Sequence, residues 1–339
     1  MSALKTVIAA SLMAFIFCGI DVFIPKSACA RDCSSVTACF EAGNTSLSMA
    51  DYEGAIDAYS MALSILNDPR VNKVNNQNDI WNNQAMNQYI RNRKGIAYFK
   101  MADYIQSSAN LTGLSGETAP DTAVYEALTN LMTGQYKKAY AKLKYAEKFH
   151  RKTQNEALKE IAQDTQPLKS YFQLVYKFAA GGAAFEFNVG AINMFIAEIF
   201  VAMGDKEKAR EHLDIVMNTY YDDLDDYELE REALDLLYGS LLDTGNFPAV
   251  NGLMQEASAY FDKEAFNDAA VVYTMAILLE PTNEDVLYHI ASCLYEMQED
   301  RRAVDYFYRY LRFSKDDSKH DEAIGKIREM VQAIKSNYQ

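Results

Sequence analysis

The chain offers few side chains whose type and spacing suit catalysis or metal binding. Its four histidines, His150, His212, His289 and His320, lie far apart, and none belongs to an H-E-x-x-H pair or stands beside a serine or cysteine motif. No glycine-rich phosphate-binding sequence and no G-x-S-x-G motif is present. The sequence therefore predicts no enzyme, no cofactor and no metal site, although scattered carboxylates could still meet in space.

The densest group of potential cation ligands is an acidic run, YYDDLDDYELE at residues 220–230. Oxygen-rich runs can hold Ca²⁺, but this one lacks the spacing and the glycine of an EF-hand loop. We interpret it as a solvated turn between helices.

The whole chain is acidic, with a formal charge of −14 over 339 residues. Such a field repels the phosphate backbone of nucleic acids and the surface of anionic membranes. Nucleic acid is therefore not an expected partner.

The first thirty residues have the three parts of a secretory signal peptide. Lys5 supplies positive charge, TVIAASLMAFIFCGI is apolar, and Ala28-Cys29-Ala30 is an A-x-A cleavage site. We expect cleavage after Ala30 and hence a periplasmic or secreted protein without stable membrane insertion. The alternative is an uncleaved membrane anchor. A lipoprotein is disfavoured, because Lys26 stands where its signal would carry an apolar residue.

Three cysteines follow this segment, and export would expose them to an oxidising compartment. Cys33 and Cys39 bracket CSSVTAC and can close a short disulfide loop. No histidine lies near them, which disfavours a metal site. Cys293 is most simply a small buried apolar residue.

The composition and the apolar periodicity both favour helices. Six Pro and fifteen Gly are few for this length, while Ala, Leu, Met, Glu and Lys are abundant. In GNTSLSMADYEGAIDAYSMAL, residues 43–63, apolar side chains recur at positions 52, 55, 56, 59, 62 and 63 with a 3.6-residue period. Asp68-Pro69 is expected to end this helix.

The same segment resembles the tetratricopeptide repeat, in which small residues lie where two antiparallel helices cross and an aromatic fills the gap to the next unit. The resemblance is strongest near the C-terminus, where three matched pairs stand 34 residues apart, the repeat length of this family. They are Ala257 and Ala291, Ala269 and Ala303, and Tyr273 and Phe307.

The resemblance implies an all-α fold, a right-handed superhelical solenoid of antiparallel helix pairs. The repeat domain is expected over residues 31–315, with irregular units within 105–195. It would follow the signal peptide at 1–30 and precede a capping helix at 316–339.

In tetratricopeptide repeat proteins the first helix of each unit lines a concave, partner-binding groove. By position, the expected groove residues are Phe40, Asn44, Leu47, Met254, Ser258, Phe261, Tyr288, Ser292 and Tyr295. The central units would add Val124, Leu128, Leu131, Met194, Glu198 and Val201. Asn44 matches the asparagine of the family's carboxylate clamp, but Phe40 stands where the clamp has lysine, so an acidic C-terminal tail is not the expected ligand. The alternative is that most of the tyrosines fill gaps between helices.

The resemblance implies a non-enzymatic scaffold or adaptor of the cell envelope, which binds a protein or peptide partner in its groove. An alternative function is a carrier of a lipid or another small apolar ligand, built around FAAGGAAFEFNVGAINMFIA at 178–197. That segment contains a single charge, Glu186. The simplest interpretation of the segment itself is a buried helix preceded by a glycine turn.

Overall fold

The computed structural model describes residues 33–70, 77–111, 120–150, 187, 189–219, 227–315 and 317–337. These residues form fourteen α-helices and contain no β-strand, which confirms the expected all-α class. The signal peptide, the Gly181-Gly182 turn and residues 220–226 of the acidic run lie outside the described residues. The helices, in chain order, are α1 (Val36–Ser48), α2 (Tyr52–Asn67), α3 (Gln77–Lys100), α4 (Tyr104–Leu111), α5 (Pro120–Met132), α6 (Tyr136–His150), α7 (Val189–Ala202), α8 (Lys206–Thr219), α9 (Glu228–Thr244), α10 (Val250–Phe261), α11 (Phe266–Leu279), α12 (Glu284–Glu296), α13 (Asp300–Phe313) and α14 (His320–Asn337).

Six pairs of consecutive helices in the described chain form hairpins, because short turns force the two helices to run antiparallel and pack on each other. They are α1–α2, α3–α4, α5–α6, α7–α8, α10–α11 and α12–α13. The second helix of a hairpin also packs on the next unit, as α2 does on α3 and α11 on α12. The tetratricopeptide-like solenoid is therefore confirmed, while its handedness stays a prediction.

The six hairpin turns share one backbone geometry. Each contains a residue in the left-handed region, with φ between 54° and 72°; these residues are Ala50, Ala102, Gly134, Gly204, Glu264 and Gln298. The N–H of the following residue donates to the carbonyl five residues earlier, over 2.7–3.0 Å. This pattern is the Schellman helix end, in which glycine is the usual left-handed residue. Only two of the six turns have glycine at this position, Gly134 and Gly204.

Helix α9 stands outside the hairpin pattern. It packs chiefly on α11, beyond its chain neighbour α10. At the C-terminal end, α14 packs on α13 and buries Ala323, Ile327, Met330 and Ile334. The capping role expected for this helix stays a prediction. Among the helices of the described chain, none combines the length and the apolar character needed to cross a bilayer.

The array closes on itself, because its first two units contact its last helices. The carboxylate of Asp305 on α13 accepts from the hydroxyl of Tyr52 on α2 and, over 2.8 Å, from Nζ of Lys100 on α3. Nζ of Lys335 on α14 lies 2.9 Å from Oδ2 of Asp51. We call these three interactions the closing contacts. The ring of Tyr52 also lies 5.8 Å from that of Tyr308, centroid to centroid.

Close crossing within a hairpin is clearest at Gly43, where a Cβ atom would lie 2.5 Å from Cε1 of Tyr59. The Tyr59 ring is fully buried and its hydroxyl is bonded to Asn44, so it has little room to move. We predict that Gly43→Ala lowers the free energy of unfolding by about 1–3 kcal/mol, as overpacking does. Urea denaturation measures this change.

Gly239→Ala on α9 is the matched control, because no atom would lie within 4 Å of its Cβ. It is expected to raise the free energy of unfolding by about 0.5–1 kcal/mol through helix propensity alone. Equal stability of the two variants would show that α1 and α2 do not cross closely at Gly43.

Candidate binding cavity

The inner side of the closed array surrounds a cavity of about 570 Å³. Its lining comes from α1, α3, α5, α7, α9, α11 and α13, together with the first residues of α2 and α4. In the described chain, α6, α8, α10, α12 and α14 contribute no lining residue. Inner and outer helices therefore alternate among the described helices of the array.

The helix of each hairpin that faces the cavity differs between the two ends of the chain. From α1 to α8 the first helix of each hairpin is the inner one, whereas in the last two hairpins the second helix, α11 or α13, is inner. The single helix α9 lies between these regions and is itself inner, through Glu230. One additional helix thus turns the first helices of the last two units outward.

The expected groove residues of the first unit have different surroundings. Leu47 lines the cavity. Phe40 is fully buried, with ring centroids of Tyr59 and Tyr89 at 5.9 and 5.2 Å. Asn44 Oδ1 accepts from the Tyr59 hydroxyl over 2.8 Å and from Nε of Arg93 over 3.3 Å. Phe40 and Asn44 thus join the helices of the first units.

The central residues divide in a similar way. Leu128, Leu131 and Glu198 line the cavity. The remaining three are buried between helices; they are Val124, Met194 and Val201. These two groups follow from helix geometry, because only one side of an inner helix faces the cavity.

The six C-terminal groove residues lie on the outer helices α10 and α12, away from the cavity; they are Met254, Ser258, Phe261, Tyr288, Ser292 and Tyr295. The structure therefore differs from the expected single groove. The reason is that the additional helix α9 exchanges the inner and outer positions of the first and second helices in the units that follow. Tyr288 and Ser292 are buried. The ammonium group of Lys319 lies 4.3 Å from the centroid of the Tyr288 ring. That of Lys326 lies 5.0 Å from the centroid of the Tyr295 ring. A partner-binding role for these residues stays a prediction.

The two cysteines predicted to form a disulfide are joined to each other, and the rings of His212 and His289 contact different residues. A disulfide links Cys33 to Cys39, and Cys293 is buried. His212 Nδ1 bonds Asn193 Oδ1 over 2.8 Å, and His289 stacks on Tyr273. No group of three or more metal-ligating residues occurs in the described part of the chain.

Charged side chains of α13 that the sequence analysis did not single out form the polar part of the cavity. Nη2 of Arg302 lies 3.1 Å from Oε2 of Glu230, and the Tyr306 hydroxyl donates to the same carboxylate over 3.4 Å. Asp305 binds Lys100 nearby. These positions recur every three to four residues, which is equally typical of a solvated helix face.

Glu198 is the carboxyl group with the most perturbed environment in the cavity. Burial and then the negative charge of Glu230 raise its pKa to about 8, although Arg309 acts in the opposite direction. At neutral pH Glu198 is therefore chiefly a neutral acid that can donate a hydrogen bond. Glu198 and Glu230 are close enough to interact electrostatically, but Glu230 is already bound by Arg302 and Tyr306.

Residues 285–313, which span most of α12 and α13, match the family model described as tetratricopeptide repeat. This match and the repeated hairpins of the described chain together support a tetratricopeptide repeat protein. Such repeats generally mediate protein–protein interaction. A comparison with curated protein sequences gives no match.

The raised pKa of Glu198 predicts a specific pH dependence of stability. An unfolded Glu ionises near pH 4.5 and the folded one near pH 8, so the wild type loses stability as the pH rises between these values. The loss is up to about 1.4 kcal/mol per pH unit. Glu198→Gln removes this loss. In urea titrations from pH 5 to 9, the stability of Glu198→Gln relative to wild type should grow up to pH 8 and then level off.

Glu256→Gln, at an exposed position of α10, serves as the control and should follow the wild-type curve. Parallel curves for Glu198→Gln and wild type would contradict the assignment of a neutral Glu198.

Proposed function

We propose that this tetratricopeptide repeat protein is a non-enzymatic scaffold or adaptor of the cell envelope that binds a partner protein or peptide. The observation that carries the proposal is the outward-facing first helix of the α10–α11 unit. Ser258 is exposed on it, and Met254 and Phe261 are partly exposed. We call these three residues the α10 surface. First helices supply the partner-binding face in this family.

The neighbourhood of the α10 surface suits an apolar or aromatic side chain of a partner. The Phe261 ring lies 6.3 Å from that of His289, which stacks on Tyr273 at 5.2 Å. The Ser258 and Tyr273 hydroxyls are 3.0 Å apart. Burial, and then Lys319, lower the pKa of His289, so its ring is neutral at physiological pH. Tyrosine is one of the residue types that carry most of the binding energy of protein interfaces.

Export to the envelope is supported by two features. Residues 1–30 have the composition of a signal peptide, and the Cys33–Cys39 disulfide follows directly. Disulfides persist in oxidising compartments and are rare in the cytosol. The absence of a catalytic motif from the sequence supports the non-enzymatic role.

A second candidate function is a carrier of a small apolar ligand. It is favoured by the cavity, because Phe187 and Phe195, both within residues 178–197, contribute to its wall. A volume of about 570 Å³ lies within the usual range of small-molecule sites, roughly 300–1,000 Å³. The two functions use different surfaces, so one chain can serve both.

The α10 surface is tested by Ser258→Arg, with Ala259→Arg as the matched control on the same helix. Both positions are exposed and both changes add one positive charge. Bulk and charge at Ser258 should abolish recovery of the partner by crosslinking in the native envelope, whereas Ala259→Arg should retain it. Both variants should melt within a few degrees of wild type. Recovery of the same proteins with both variants would contradict a partner site on the α10 surface.

Export is tested on protein recovered from its native cell. We predict that the first residue is Arg31 and that Cys33 and Cys39 react with an alkylating reagent only after reduction. Intact-mass measurement checks both points. A chain that retains residues 1–30 and has free thiols at both positions would contradict the proposed location.

A further inference from the structure

The cavity lining carries more positive than negative groups, although the chain is acidic. Five cationic side chains line it, against three carboxyl groups. Lys100 is paired with Asp305 and Arg302 with Glu230. Glu198, the third carboxyl group, is chiefly neutral at pH 7 because burial raises its pKa to about 8. The lining is therefore locally positive, in a protein whose overall charge is −14.

Arg309 is the cation best placed to receive an anion. It lines the cavity from α13, and in the described part of the chain no carboxylate lies within ion-pair distance of it. Its Nε–H is buried and makes no hydrogen bond of normal geometry within the described residues, although the Tyr104 hydroxyl, which also lacks a partner, lies close to the guanidinium. Nη2 donates to the Pro281 carbonyl over 3.5 Å, and the guanidinium lies 4.9 Å from the centroid of the Tyr306 ring. A buried N–H without an acceptor is costly unless a ligand supplies one.

A second polar group of the lining lacks a partner. The side chain of Thr274 on α11 is 1% exposed, and its Oγ1 has no hydrogen-bond partner among the described residues. Thr274 lines the same cavity as Arg309. The Thr274 hydroxyl and the Nε–H of Arg309 are both donors that an oxyanion can accept from.

The rest of the lining suits an apolar body. Four rings form a continuous edge-to-face row, which we call the aromatic wall: Phe99, Tyr125, Phe187 and Phe195. Successive centroids along it are 5.5, 5.1 and 5.7 Å apart. Aliphatic side chains such as Leu128 and Ile277 extend this surface. An apolar chain or ring would lose contact with water along the whole wall.

We infer that the cavity binds a small monocarboxylate with an apolar body, whose carboxylate is held by Arg309 and Thr274 and whose body lies along the aromatic wall. The inference rests on the carrier function proposed above and names the chemical class of its ligand. A single negative charge is specified, because the guanidinium of Arg309 supplies one positive charge and the carboxylate of Glu230 lies in the same lining. The volume fits a small molecule rather than a folded segment.

The test compares decanoate with decanol, two probes with the same apolar chain and different head groups. Binding to the delipidated mature protein at pH 7 is measured by calorimetry. Decanoate should bind about 10- to 100-fold more tightly than decanol, the range of a hydrogen bond to a charged group. Arg309→Gln should reduce decanoate affinity to that of decanol, while Arg309→Lys should retain part of the difference and guard against a misfolded Gln variant.

Arg210→Gln is the matched control, because it removes a guanidinium from the outer helix α8. It should leave both affinities unchanged. Equal binding of decanoate and decanol, or full decanoate affinity in Arg309→Gln, would overturn the carboxylate site and leave the carrier function standing. Binding of neither probe would overturn both.

Discussion

The architecture depends on the contact between the two ends of the array. At Asp305, one carboxylate binds the hydroxyl of Tyr52 and the ammonium of Lys100, so α13 is held against α2 and α3. Without this contact a stack of helix pairs would form an open superhelix with a solvated concave face. With it, the inner helices face a cavity, and groups such as Glu198 lose much of their hydration. The raised pKa of Glu198 is consistent with that closure, because burial is its main cause.

The single helix α9 determines which helices face the cavity in the C-terminal units. Because inner and outer helices alternate, one helix outside the hairpin pattern exchanges the roles of first and second helices in the units that follow. The first helix α10 then faces outward with the α10 surface, while the second helices α11 and α13 bring Thr274 and Arg309 to the cavity. One chain thereby presents a family-type surface outside and a different, polar and aromatic surface inside. The proposed partner surface and the proposed ligand site therefore share no residue.

Local features of the fold were predictable from the sequence, and the long-range ones were not. Gly43 and Tyr59 lie in the repeat pattern, and the structure places them in direct contact across a hairpin. The turns at Glu264 and Gln298 have left-handed residues without glycine, so turn chemistry alone would miss them. Asp305 and Tyr52 are 253 residues apart, and no local pattern encodes their meeting. The site residues on α13 were missed because spaced charges on a helix are also typical of a solvated face.

Zero-length carbodiimide crosslinking of the mature protein, followed by peptide mass spectrometry, tests the closure most directly, since it joins only amines and carboxylates that are in contact. Closure predicts two long-range products, Lys100–Asp305 and Lys335–Asp51, whose atoms lie 2.8 and 2.9 Å apart. Lys142–Glu126, at 2.7 Å within the α5–α6 hairpin, is the internal standard. Recovery of all three is the expected result. Recovery of Lys142–Glu126 without either long-range product would show that the array is open.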